Sequence, residues 1–372
     1  MTRRTLLETA LAIGATSLST AMTYAVAKAS PPPPGFFMPA ETVTHRRTWM
    51  QWPARPGIYG GNAYLQQVRA NIARLAQAIA RFEEVTLCVR PEHASAAATA
   101  CGKSVRIEQF ELDDMWARDA GPTFVVNNQG EVAVVDLNFN AWGNKQTHAD
   151  DAKLASAIST AHGFTRFRAN LVTEGGAVEV DGEGTILTTE SSLWNANRNP
   201  GKTIDVLTND LKEALGGKSV IWLPGLRGQD ITDGHIDGLA RFIDPGHVLV
   251  ELHADHSRTR EAHLAREAVK QLQGVRDAKG RPLRVSTLEN AGKTRATTPD
   301  FLNAYINYYV CNGAVLMPQF GDRRADANAA SVLGDLYPGR KIVQLDVDRI
   351  HENGGGIHCT TQQQPDGPIY KP

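Results

Sequence analysis

The stretch of this sequence best suited to covalent chemistry is Gly354-Gly355-Gly356-Ile357-His358-Cys359-Thr360-Thr361-Gln362-Gln363-Gln364-Pro365. Three consecutive glycines open backbone angles closed to other residues and let a ligand approach closely. They lead into a cysteine with polar neighbours. A thiolate nucleophile needs a partly exposed setting near hydrogen-bond donors, whereas an inert core cysteine has apolar neighbours. Cys359 is the candidate nucleophile, and a packed or surface thiol is the competing reading. In Asp230-Ile231-Thr232-Asp233-Gly234-His235-Ile236-Asp237-Gly238, His235 and Asp237 stand two apart and would share one face of a strand. The imidazole can give or take a proton, and the carboxylate can hold a cation or orient the ring. A zinc site is disfavoured because no third ligand follows at helical or short-loop spacing, and a solvated turn is the plain alternative.

Three further clusters carry acids or amides. In Leu112-Asp113-Asp114-Met115-Trp116-Ala117-Arg118-Asp119, carboxylates flank an indole. That suits a guanidinium, which carboxylates bind in a fork and an aromatic face stacks upon. Arg118 pairing with Asp113 or Asp114, with Trp116 in the core, is the structural alternative. Glu174 precedes Gly175 and Gly176, while Asp181 to Gly184 reads as a hairpin turn. Asn195 to Pro200 is a polar turn without an assigned role. His247, His253, His256 and His263 read as surface histidines rather than metal ligands. Cys88 and Cys101 leave a disulfide open, and Cys311 reads as a strand-edge residue.

These residues need a scaffold of alternating strands and helices. Short β-rich runs such as Val85–Val89, Thr123–Val126, Val132–Leu137, Thr185–Thr189, Val248–Leu252 and Lys341–Asp346 alternate with helical stretches. The helices are expected over Tyr64–Phe82, Ala149–Ala161, Thr203–Leu215, Thr259–Leu272 and Ala325–Leu336. Thr123–Val126 and Val132–Leu137 are joined by Asn127-Asn128-Gln129-Gly130, a hairpin signal that a purely parallel sheet would lack. The class is mixed α/β, built from repeated units of strands plus a helix. No glycine-rich phosphate loop stands in a strand-to-helix context.

Composition narrows the function. The chain has 372 residues with 39 Lys+Arg against 40 Asp+Glu, so no basic excess exists to neutralise nucleic-acid phosphates. With 42% hydrophobic residues it can bury a core, which excludes whole-chain disorder. Residues 1–29 have the layout of a twin-arginine export signal: Arg3-Arg4, a weakly apolar stretch from Leu11 to Met22, and Ala27-Lys28-Ala29. Its removal leaves 343 residues with a formal charge of −3. Residues 30–35, with Pro31 to Pro34, then read as a stiff spacer before a catalytic domain over 36–372. The expected address is the periplasm, with no membrane association after processing.

The clusters in chain order resemble the family of agmatine deiminases and Porphyromonas-type peptidylarginine deiminases. The likeness runs from Met38-Pro39-Ala40-Glu41 and Thr48-Trp49-Met50-Gln51-Trp52-Pro53 through Trp116 to Pro122 and Asn140-Ala141-Trp142-Gly143. It continues through Glu174-Gly175-Gly176, Asn197-Arg198-Asn199-Pro200, Asp233 to Asp237 and the terminal Gly354 to Pro365 motif. The resemblance implies a five-bladed pentein α/β propeller with ββαβ-type units around a central site. It implies Cys359 as nucleophile, His235 as general acid and base, Asp119 and Asp237 as guanidinium-binding carboxylates, and Glu174 as the partner of His235. Trp116, Gly355 and Gly356 would complete the substrate pocket. No metal or organic cofactor is implied. The implied partner is a small guanidino cation or an arginyl peptide, with a homodimer the oligomer considered. The implied reaction is hydrolytic deimination, first of agmatine and alternatively of peptidyl arginine. A non-hydrolytic amidinotransferase or guanidine-binding protein is the remaining alternative. Ile231 stands where many cytosolic agmatine deiminases carry an acid, and Asn144 to His148 departs from their glycine-rich continuation.

Overall fold

The computed structural model describes residues 29–254, 256–296 and 298–372. The expected export leader lies outside them except for Ala29. One strand pattern recurs around the molecule. β1 (His45–Gln51), β2 (Val85–Val89) and β3 (Val105–Gln109) begin the first sheet. The second holds β4 (Thr123–Val126), β5 (Val132–Asp136) and β6 (Arg166–Arg168), and the third β7 (Val178–Val180), β8 (Thr185–Thr189) and β9 (Ser219–Leu223). The fourth holds β10 (Ala240–Asp244), β11 (His247–Leu252) and β12 (Arg284–Glu289), and the fifth β13 (Tyr309–Cys311), β14 (Ala314–Pro318) and β15 (Lys341–Leu345). β16 (Gln362–Pro365) then pairs antiparallel with β1, placing Trp49 opposite Gln362 and sewing the end of the chain to its beginning.

Every sheet couples an antiparallel pair to a parallel one, as in β4 against β5 and then β5 beside β6. A parallel step needs a crossover, and in each sheet a helix supplies it. These helices span Asn62–Ile79, Asp151–His162, Ile204–Leu215, Arg260–Gln273 and Arg323–Leu336, within a residue or a few of the sequence expectation. The first buries Leu65, Val68, Ile72, Leu75 and Ile79, the apolar stripe of a helix on a sheet. Thr203 and Thr259 start two others by accepting from the backbone N–H of Val206 and Ala262.

The core is shared between neighbouring sheets. One cluster joins Trp49 and Cys88 to Phe124 and Val134, the next Val135 to Val178 and Ile186, and the third Leu187 and Ile221 to Val248. A fourth joins Leu249 and Leu288 to Val315, and the last joins Leu316 and Tyr309 to Met50 and Leu87. The five interfaces close a ring, the propeller arrangement that the family resemblance implied, and they leave the axis to polar residues.

Several local readings change. His235 and Asp237 do not lie on a strand: His235 caps, and Asp237 lies within, a 3₁₀ turn over Ile236–Gly238, so the backbone turn rather than strand alternation brings both to the Gly176 position. His247 is not on the surface. It is buried on β11, where Ser286 and Arg284 meet its two ring nitrogens. Cys88 and Cys101 are buried free thiols in different elements, without a disulfide. Ser30 exchanges two backbone hydrogen bonds with Arg168, so the proline segment is tied to the second sheet.

Candidate active site

In each sheet the chain enters the antiparallel edge strand through a turn, and the chemistry sits in those turns. Asp119 lies just ahead of β4, Glu174 and Gly176 ahead of β7, His235 and Asp237 ahead of β10, and Cys359 ahead of β16. Asn307, ahead of β13, completes the set. Residues spread over 240 positions thereby converge, because five copies of one local geometry point to one axis.

Gly176 marks the point of convergence. A Cβ there would stand 2.7 Å from His235 Nδ1, 3.0 Å from Asp119 Oδ1 and 3.1 Å from Asp237 Oδ2. Only a residue without a side chain leaves room among three reactive groups. Its N–H donates to Asp119 Oδ1 at 2.9 Å, and Trp142 Nε1 donates to the other oxygen, Oδ2, at 2.9 Å. Asp237 Oδ2 accepts from His358 Nδ1 at 2.8 Å and lies 3.6 Å from the sulfur of Cys359. Glu174 Oε2 stands 3.3 Å from His235 Nε2, the pairing anticipated for these two residues. Trp116 borders the cavity, with Gly355 flattened against its ring: a Cβ on Gly355 would lie 2.4 Å from the indole. Gly356 is not part of the cavity wall, and a Cβ there would instead strike Asn307 Oδ1 at 2.5 Å.

The surrounding charges set the protonation states. Burial disfavours a charged His235, but Asp119, Glu174 and Asp237 outweigh it and raise the imidazole to about 9. At neutral pH it is a proton donor. Burial likewise works against ionisation of Glu174, and the Arg198 guanidinium reverses the effect, holding the carboxyl below its ordinary range. For Asp237 the same reversal comes from the hydrogen bond and charge of His358. Asp119 is pushed up, first by burial and then by Glu174 and Asp237, with His235 opposing them. Burial pushes the Cys359 thiol well up, and the carboxylates of Asp237 and Asp119 push it further. The thiol is therefore neutral at physiological pH, with the carboxyl groups of Asp119 and Asp237 beside it.

Four contributors escaped the sequence reading. Arg198, from the unassigned polar turn, donates Nε to both oxygens of Glu174, Nη1 to Asp233 and Nη2 to the carbonyl of Thr232, all within 3.1 Å. Glu41 accepts from His358 Nε2 at 2.8 Å and pairs with Arg118 and Arg241, so Arg118 does not pair with Asp113 or Asp114. Trp142 sits in a run of positive φ over Ala141, Trp142, Gly143 and Asn144, a left-handed turn that costs about 1–2 kcal/mol per non-glycine residue. Arg198, Glu41 and Trp142 stand within quoted motifs, but single-sequence patterns carry no sign of their partners. Asn307 stands in no motif at all.

A closed ring of five ββαβ sheets, with a thiol, an imidazolium and paired carboxylates on its axis, defines a guanidine-modifying thiol enzyme of the propeller class. Residues 37–365 match the family model of the Porphyromonas-type peptidyl-arginine deiminases, and the chain belongs to that family. The agmatine deiminase of Stutzerimonas stutzeri is 39% identical over 356 residues, covering 89% of this chain and 96% of that one. The agmatine deiminase of the plant Medicago truncatula is 36% identical, with the same coverage of both chains. The solved structure of the Enterococcus faecalis agmatine deiminase superposes with a TM-score of 0.83 at 30% identity, again covering 89% and 96%.

Proposed function

We propose that this chain hydrolyses agmatine to N-carbamoylputrescine and ammonia. The observation that carries the reaction is the convergence of His235, Asp119 and Asp237 around the space that Gly176 leaves open, with the Cys359 sulfur 3.6 Å from Asp237 Oδ2. A cavity of about 580 Å³ leads to it and reaches Asp119, Trp116 and Cys359. Its wall includes the carboxylates of Asp114, Asp230, Glu261, Asp300 and Glu352 and no lysine or arginine. Ile231 lines the same wall, so neighbouring acids supply the charge that this position lacks. Such a mouth attracts a second positive charge, as on an aminoalkylguanidine, and repels the carboxylate of free arginine.

The steps follow from the groups. Asp119 and Asp237 hold the planar cation, and its charge lowers the cost of ionising Cys359. The Cys359 thiol gives up its proton to solvent through the open cavity, and the thiolate forms a C–S bond to the guanidinium carbon, giving a neutral tetrahedral adduct. His235 passes its proton to one nitrogen, the C–N bond breaks and ammonia leaves, which leaves a cationic thiouronium on Cys359. Neutral His235 next takes a proton from water as its oxygen bonds to the same carbon. Cleavage of the C–S bond, with the hydroxyl proton of this second adduct passing to the sulfur, releases the neutral ureido product and restores the thiol. Glu174 steadies the imidazole in both roles, and Arg198 keeps Glu174 ionised.

Purified protein offered agmatine, arginine and an arginyl peptide should form ureido product from agmatine with the highest kcat/KM. Peptide turnover without agmatine turnover refutes the substrate assignment. Cys359→Ser should lose about 10⁴-fold or more in kcat with unchanged melting, and retained activity removes Cys359 as nucleophile. We also propose export through the twin-arginine route, supported by Arg3-Arg4 and the small residues Ala27 and Ala29. Cell fractionation should find the protein in the periplasm and retain an R3K/R4K variant in the cytoplasm; equal distribution of both refutes it.

A further inference from the structure

The turn ahead of β13 is the only one of the five with no assigned chemistry, although it occupies the same place in its sheet. It carries Asn307, which is fully buried. Its carboxamide has two distinguishable ends, and the backbone decides which end faces the sulfur. The N–H groups of His358 and Cys359 both point at Oδ1, at 3.0 and 3.4 Å. An amide nitrogen placed there would face two donors. The Nδ2 end is thereby directed to the sulfur of Cys359 at 3.3 Å and to the carbonyl of Asp237 at 3.4 Å.

The geometry points to Asn307 as a further catalytic residue, whose side-chain amide donates a hydrogen bond to the Cys359 sulfur and stabilises the attacking thiolate. The inference rests on the reading of Cys359 as nucleophile. A neutral donor is what this site requires. A lysine or arginine at that position would favour the thiolate more strongly but would repel the guanidinium that must reach the sulfur. An amide lowers the thiolate's energy without opposing the substrate's charge. The contact also suits both protonation states. A protonated Cys359 can donate to Asn307 Oδ1 at 3.5 Å or to Asp237 Oδ2 at 3.6 Å, and the thiolate accepts from Nδ2. The arrangement accounts for Gly356 as well, since any side chain there would displace the amide.

The charged groups that face the sulfur or share its cavities are Asp119, Asp237, His235, Glu251, Asp230, Asp114, Glu261, His253, Asp300 and Glu352. None of them changes in the variants Asn307→Asp and Asn307→Ala. The aspartate keeps an acceptor for both backbone N–H groups and removes the donor. The probe is iodoacetamide, which reports thiolate without needing turnover. Its rate at Cys359 is followed against pH, with the alkylated peptide identified by mass spectrometry to separate it from Cys88, Cys101 and Cys311. The alkylation midpoint should rise by about one pH unit or more in both variants, further in Asn307→Asp, and kcat/KM for deimination should fall about 10²–10³-fold. An unchanged midpoint in a variant with native circular dichroism overturns the inference. Loss of the fold in both variants overturns it too, because the amide would then be a strut. A shifted midpoint in a protein that turns over no agmatine upholds Asn307 and refutes only the substrate assignment.

Discussion

Replacing Arg198 by methionine tests how the proton donor is kept charged. The guanidinium and Glu174 are both fully buried, with Nε 2.8 Å from Oε1, and a second arm holds Asp233 at 2.9 Å. Methionine fills similar volume without charge, so Glu174 keeps only His235 as a partner. Breaking a buried pair from one side costs about 3–5 kcal/mol. With an unfolding entropy of about 2.1 cal/mol/K per residue over roughly 340 residues, the melting midpoint should fall by about 4–7 °C. The catalytic consequence is separable. Burial without the arginine drives Glu174 toward its neutral form, and His235 then loses one of the charges that raise it to about 9. Asp119 and Asp237 remain, and loss of one adjacent opposite charge is worth roughly 1–3 units, so a fall of about two brings the imidazole near 7. Because His235 must be protonated when ammonia leaves, the protonated fraction at pH 8 drops about tenfold, while at pH 6 it is nearly full in both proteins. The assay is kcat/KM for agmatine from pH 5.5 to 10 beside calorimetry over the same range. The alkaline limb should move from near 9 to near 7. A lower melting midpoint with an unmoved alkaline limb refutes the electrostatic link, and an unchanged protein on both counts refutes the buried pair.

Gly176→Ala brings a methyl group within 3.1 Å of His235, Asp119 and Asp237. It should cut kcat by about 10²-fold or more while melting within a few degrees of wild type, and full activity would show that this space is not where the guanidinium binds. Glu251 accepts from the Ile306 N–H at 2.6 Å and is raised by burial to about 8. Its folded pKa exceeds its unfolded value, so the stability tied to its proton is complete below about pH 4.5 and gone above pH 8. Glu251→Gln removes that dependence: the melting difference between pH 5 and pH 8 should shrink by ~4 °C, leaving the drift owed to Asp151, which burial also raises to about 8. An equal drift in both proteins would mean that Glu251 stays ionised in the fold.

The long helices were legible because a stripe such as Leu65, Val68, Ile72, Leu75 and Ile79 repeats at the helical period. The hairpin at Asn127–Gly130 was equally plain, since Asn127 caps Gln129 and Glu131 and Gly130 takes φ of 77°. The three-residue strands β6, β7 and β13 were not, because a run that short shows no period and is fixed by the sheet it joins. Cys359 and the acids were visible as residue types out of place in a core. The ion pairs were invisible for a different reason: Glu174 meets Arg198 across 24 positions, and His358 meets Glu41 across 317. Only the ring brings such pairs together. The reading of His235 and Asp237 as strand neighbours failed on the same ground, since spacing of two is shared by a strand and by the turn that actually holds them.

The fivefold plan also explains how one pocket can hold so many acids. Asp119, Glu174 and Asp237 come from three sheets, and each is answered by a separate group: Trp142 for Asp119, Arg198 for Glu174, His358 backed by Glu41 for Asp237. Those partners neutralise only in part. Asp119 receives two neutral N–H donors and no cation of its own beyond His235, which lies 3.9 Å away. The charge deficit is thus left at the one place where a guanidinium can enter. Burial first, and then the two carboxylates beside it, keep Cys359 protonated in the free enzyme. Arrival of the cation repairs both at once, so the thiolate appears only when there is a carbon for it to attack. A buried thiol that ionises on demand is protected from stray electrophiles, and it draws its selectivity from charge before any contact with the rest of the substrate is made.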